Sequence, residues 1–199
     1  ALVLGNAGYS ARPLKTAGND AGLVAQTLKA AGFSVTEGLN VDYNSLGGAF
    51  QDFLSTVQQS GTEAVVFVYL AGHAVQFEAD NYFIPVDSEI NSEADIVSKG
   101  VKLGDFTRAL SQLPAKARFI VVDSGHANPY PGVKQLAKGT AIVEPVAGTL
   151  QSFAVRPGET APDATGDYAA FSLALSEVMR EPGLNPGEIF DRVRLRVHE

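Results

Sequence analysis

Apolar positions along this chain form two patterns, and the two alternate. Ala1 to Leu4, Ala64 to Leu70 and Phe119 to Val122 are unbroken apolar runs, as expected of strands covered on both faces in a parallel sheet. Phe33-Ser34-Val35-Thr36 alternates like a half-buried strand. Thr149 to Val155 reads as a further strand, and Asn81 to Val86 as a short one beyond a polar hairpin.

Helical spacing fills the intervals. Asn19-Asp20 offers an N-cap before Ala21, Val24, Leu28 and Ala31, with Gly32 as the stop. A second helix begins at Asn44, carries Leu46, Phe50, Phe53, Leu54 and Val57 on one face, and closes near Gly61. A third runs from Gly104 to Leu113 and ends at Pro114. Tyr168 to Met179 and Pro186 to His198 complete the set, separated by Pro182-Gly183. Strands alternating with helices predict an α/β fold with a parallel sheet, right-handed crossovers and helices on both faces. Gly132 to Gly148 and Pro157 to Gly166 read as loops.

Composition narrows the function. At 199 residues and 45% hydrophobic, the chain can bury one substantial core. A formal charge of -7 argues against a nucleic-acid or anionic-membrane surface. No apolar run approaches the roughly 20 residues that span a bilayer. There is no cysteine, which removes disulfides, thiolate metal sites and a thiol nucleophile together. The chain opens at Ala1, directly in a strand, so the native amino terminus and any leader are expected to lie outside it.

Two of the buried runs end in polar turns that contain histidine, Leu70-Ala71-Gly72-His73 and Val122-Asp123-Ser124-Gly125-His126. Open α/β sheets place their chemistry just past the carboxyl ends of strands. Two adjacent ends supplying a base and a nucleophile make a plausible hydrolase layout. On pattern alone, a histidine after a strand is more often a capping or surface residue.

The ordered set Ala1 to Asn6, Leu14 through Asn19-Asp20-Ala21, Gly32 to Val35, Tyr69 to Gln76, Asn81 to Asp87, Asn128-Pro129-Tyr130, Gly148 to Ala154 and Pro157-Gly158 resembles the prokaryotic caspase-like domains of the metacaspase/orthocaspase family. That resemblance implies a caspase-hemoglobinase fold with a mostly parallel, six-stranded-type sheet. It also implies one domain over residues 1–199, with a large-subunit-like region 1–130, a linker loop 131–148 and a small-subunit-like region 149–199. The family's general base maps onto His73. Its cysteine nucleophile maps onto Gly125. Asp123 matches the acid that helps bind a basic P1 side chain, and Gly72 and Ser124 join it as substrate-contacting positions. The N–H groups of Gly72 or His73 and of Gly125 fall where an oxyanion hole is expected.

Gly125 has no side chain with which to attack a carbonyl. Loss of the nucleophile from such a unit costs on the order of a millionfold in rate. The expectation is therefore a catalytically inactive caspase-like domain with a binding or regulatory role. The alternative is residual or serine-based cleavage after Arg or Lys, with Ser124, one residue out of register, attacking through His73. A metal held by His126, His73 and Asp123 is a further option, against the ordinary reading of His126 as a surface or supporting residue. An engineered Gly125 would be an unusual choice over alanine or serine, which favours a natural loss.

Ala74, Ala127 and Ala169-Ala170-Phe171-Ser172 depart from the family pattern. The last of these implies loss of a serine that shapes the substrate pocket. Glu78, Asp80, Asp87, Glu89, Glu93 and Asp95 suggest calcium by family analogy, although their spacing is that of a solvated acidic face. Lys134 and Lys138 lie where active relatives cut themselves. The expected partner is a peptide or protein carrying basic residues, with no cofactor and a monomeric state. The compartment is left open between a bacterial cytoplasm and export.

Overall fold

A computed structural model describes residues 1–134, 136–162 and 164–197. In chain order the elements are β1 (Leu2–Gly5), α1 (Ala17–Ala30), β2 (Thr36–Leu39), α2 (Tyr43–Ser60), β3 (Val65–Ala71), β4 (Ala74–Phe77), β5 (Asp80–Phe83), α3 (Glu93–Lys99), β6 (Val101–Lys102), α4 (Leu103–Ser111), β7 (Ala117–Asp123), β8 (Thr149–Phe153), α5 (Ala170–Val178) and α6 (Pro186–Val197). A parallel sheet runs in the order β2-β1-β3-β7-β8. The small sheet β4-β5-β6 is antiparallel and stands apart. The α/β architecture is the one expected, with five strands in the central sheet among the described residues where six were anticipated.

Strand alternation sorts the core into two layers. Val3, Phe67, Tyr69, Ala71 and Val121 pack with α1, α5 and α6. Leu2, Leu4, Val68, Leu70, Ile120 and Val122 pack on the other face with α2 and α4. The central strands β1, β3 and β7 are therefore apolar at nearly every position, because each face meets helices.

Several boundaries move for local reasons. Asn19-Asp20 is not the cap of α1: the helix starts at Ala17 after Thr16, so Asp20 lies within its first turn. A carboxylate there complements the helix dipole. The second strand begins at Thr36 rather than Phe33. Gly32 ends α1 at φ +91°, and Phe33 sends its N–H back to the Leu28 carbonyl and packs its ring on Phe67. Sheet pairing resumes only where the Thr36 N–H reaches Ala1 O. Most of β2 is exposed, so hydrophobicity gave no signal there. The hairpin joining β4 to β5 turns through Glu78 and Ala79, at φ 48° and 64°, a two-residue geometry in which glycine or asparagine is usual. Helix α3, unmarked by apolar spacing, is set by a capping box between Ser92 and Asp95. His198 falls outside the described residues.

Close packing of α1 on β1 rests on Gly5, where an added Cβ would stand 2.6 Å from Ala21 Cβ and 2.7 Å from Ala17 O. Gly22, in the same helix, has open space around it. Gly5→Ala is expected to destabilise by about 1–3 kcal/mol through overpacking. Gly22→Ala is expected to stabilise by up to about 1 kcal/mol through helix propensity. Urea unfolding of the two variants checks the opposite signs.

Candidate functional site

β3 and β7 pair from Val65–Ala117 through Ala71–Asp123, so both strands end level with each other. The next residues, Gly72-His73 and Ser124-Gly125-His126, leave the sheet side by side. Structure thus brings His73, Ser124, Gly125 and His126 to one edge of the fold, as the two sequence motifs implied.

His73 is almost fully buried. Its ring lies 4.4 Å from that of Tyr9 and 5.9 Å from that of His126, centroid to centroid. Nε2 lies 2.7 Å from the Arg12 carbonyl oxygen. A carbonyl can only accept, so Nε2 carries the proton and donates, and Nδ1 is the basic nitrogen of the neutral ring. The Tyr9 hydroxyl accepts from the His73 N–H at 3.0 Å and donates to Ile84 O at 2.9 Å. Gly72 admits this arrangement, since a Cβ there would stand 2.7 Å from the Tyr9 hydroxyl and 2.9 Å from Phe83 Cζ.

The N–H groups of this turn are consumed inside the protein. Gly72 donates to Asp123 O at 3.3 Å, His73 to Tyr9, and Ala74 to Ser124 Oγ at 2.8 Å. The Gly72 or His73 N–H expected at an oxyanion hole is therefore engaged elsewhere. Ser124 is engaged inside the protein as well. Its hydroxyl is buried and turned onto the start of β4, because successive side chains at a strand end point to opposite sides. It is not among the residues that line the cleft described below.

Asp123 points the other way, onto the α1 face. It shares that face with Tyr69, its diagonal neighbour across the β3–β7 pair, and the Tyr69 hydroxyl donates to Asp123 Oδ2 at 2.5 Å. Burial pushes the Asp123 carboxyl up to about 7; the Tyr69 bond opposes this and the nearby Asp20 charge adds to it. Asp20 is buried as well, accepting from the Ala169 N–H at 2.8 Å and from the Ser172 hydroxyl at 2.5 Å. Both acids face a cleft of about 580 Å³ whose lining includes Gly125, His126, Tyr168 and Phe171. That volume lies within the usual range of about 300–1,000 Å³ for ligand sites.

Asp20 is the residue that sequence reasoning missed as part of the site. Its partners are about 150 positions away, and the apparent capping role gave it another explanation. Ser172, in the stretch that departs from the family pattern, donates its hydroxyl to Asp20. His126 is half-buried and lines the cleft, with its ring 5.9 Å from that of His73.

The acidic stretch after His73 has local work. Asp80 pairs with Lys102, Asp87 accepts from the Tyr43 N–H, and Asp95 caps α3 and pairs with Lys99. Among the described residues no group of three or more His, Asp or Glu is arranged to hold a metal ion. Lys134 and Lys138 are exposed. Their loop is tied down next to them, by Asn81 bonding both polar groups of Ala141 and by Gly158 donating to Thr140 O.

Between pH 3.8 and about 7, folded Asp123 keeps a proton that the unfolded chain has released. Its contribution therefore opposes folding increasingly as pH rises through that window, and opposes it fully above. Asp123→Asn keeps an oxygen for Tyr69 and removes the charge. Its melting temperature is expected above the parent's at pH 8, with the gap closing near pH 4. Each 1 kcal/mol is worth about 2–4 °C in a chain of this size. Thermal scans across that pH range measure it.

No curated protein matches the chain with significant similarity. The family model for the caspase domain matches residues 1–199. That match covers both strand ends, both loops and the cleft between them, and the chain belongs to the caspase-domain family.

Proposed function

We propose that this caspase-family domain is not a working protease, and that it binds a basic segment of a peptide or protein by seating an Arg or Lys side chain against Asp20 and Asp123. One observation carries the reading. Beside Gly125, which the resemblance places at the family's nucleophile position, two buried carboxylates, Asp123 at the end of β7 and Asp20 in α1, face an open cleft. Thiol chemistry needs a thiolate whose proton the base accepts, and His73 has no such partner at Gly125. The resemblance of the strand-end motifs to metacaspase-like sequences supports the preference for a basic side chain.

The electrostatics favour the same ligand. Two carboxylates out of water repel each other and are poorly compensated by hydroxyl partners. A guanidinium or ammonium entering the cleft offsets their repulsion and stabilises the ionised form of Asp123. It drives Asp123 to release its proton, so binding strengthens as pH rises through about 7. Arg suits the two acids better than Lys, because its planar fork can donate to each. The buried orientation of Ser124 weighs against the serine-based alternative. In this reading the chain acts as one domain over 1–199, with the 131–148 loop uncut.

Titration of an Arg-containing fluorescent peptide, followed by anisotropy, tests the binding half. Asp20→Asn and Asp123→Asn are each expected to weaken binding tenfold or more, in line with about 2–5 kcal/mol for losing one partner of a desolvated charge pair. A Glu-for-Arg peptide is expected not to bind. Unchanged affinity in both variants sinks the proposal. For the catalytic half, Arg- and Lys-P1 substrates are expected to show no turnover, and the 131–148 loop to stay intact on long incubation. Cleavage that vanishes in His73→Ala or Ser124→Ala would show instead that the domain is a protease.

A further inference from the structure

Gly125 has no backbone reason to be glycine, since its φ lies outside the left-handed region where side chains are strained. Space is the reason. A Cβ built on Gly125 would stand 2.7 Å from Val155 Cγ1 and 3.2 Å from Val155 Cγ2. Both methyl groups of Val155 thus face the position where the family's nucleophile begins.

Val155 has little freedom to withdraw. β-branched side chains have few χ1 options, and the backbone is held on either side. Upstream, Ala154 donates to Val122 O at 3.1 Å, extending the β7–β8 pairing. Downstream, Gly158 donates to Thr140 O at 3.2 Å, and Ala161 donates to the carbonyl of Gly125 itself at 2.7 Å. Residues 154–161 therefore strap the Gly125 turn from both ends and set the valine against its Cα.

We propose that Val155 plugs the nucleophile position, so that this domain is silenced twice, by the missing side chain at Gly125 and by the valine packed into its place. A cysteine returned to position 125 alone has no room to sit as a reactive thiol. The inference goes beyond the binding reading and depends only on the packing around Gly125, so it stands or falls independently of any cationic ligand.

The absence of cysteine in the chain provides a direct readout. In Gly125→Cys, the only thiol is the one in question. Its reaction with 5,5′-dithiobis(2-nitrobenzoate) under native conditions is expected to be about tenfold or more slower than in Gly125→Cys combined with Val155→Ala, because the crowded thiol reacts only through local opening. The double variant is also expected to melt higher than the Gly125→Cys single variant. Equal labelling rates and equal melting temperatures overturn the proposal. If Gly125→Cys does not fold, a double-mutant cycle between Gly125→Ala and Val155→Ala replaces it. Strong coupling, with the pair less destabilising than the sum of the singles, supports the plug; additivity overturns it.

Discussion

The parallel register of β3 and β7 is the constraint on which the site depends. Because Ala71 stands opposite Asp123, two polar turns emerge together at one edge of a sheet whose faces are otherwise sealed. A shift of one residue would turn Tyr69 and Asp123 toward opposite faces of the sheet. Asp123 would then leave α1 and Asp20, and Ser124 would leave the start of β4. Apolar packing on both faces, with α1, α5 and α6 on one side and α2 and α4 on the other, holds that register.

Polar groups at the strand ends are then distributed with little slack. The N–H groups of residues 72 to 74 each bond a different internal acceptor. His73 is fixed by the Arg12 carbonyl and the Tyr9 ring. Such saturation gives a rigid turn, because releasing any one buried donor exposes it unpaired. The carboxylates are treated differently. Asp20 and Asp123 are oriented by hydroxyls, yet they remain close enough for the charge on Asp20 to raise the Asp123 pKa. The turn after β3 is thus saturated with backbone hydrogen bonds, while the two acids that face the cleft keep their mutual repulsion.

Much of this was legible along the chain. Unbroken runs rich in β-branched residues, such as Phe119 to Val122, bounded by turn residues, read as strands covered on both faces, and the helices with strong apolar spacing were found within a few residues. Elements held by backbone geometry were not legible. β2 is mostly exposed, β4 and β5 meet in a turn without glycine, and α3 rests on a capping box rather than an apolar face. In each case the stabilising contact is local hydrogen bonding or pairing with a remote strand, which leaves no periodic trace.

By itself the sequence determined the fold class, the two histidine-bearing strand ends and the absence of a thiol at position 125, because buried runs, turn residues and a missing side chain are all written in one dimension. Only the tertiary structure decided how those pieces face one another. It turned Ser124 into the protein and Asp123 onto the α1 face, through the alternation of a strand end. It brought Asp20 and Ser172 together from opposite ends of the chain. It also set Val155 against Gly125, a contact between residues 30 positions apart that depends on the pairing of β7 with β8 and on the strap that follows.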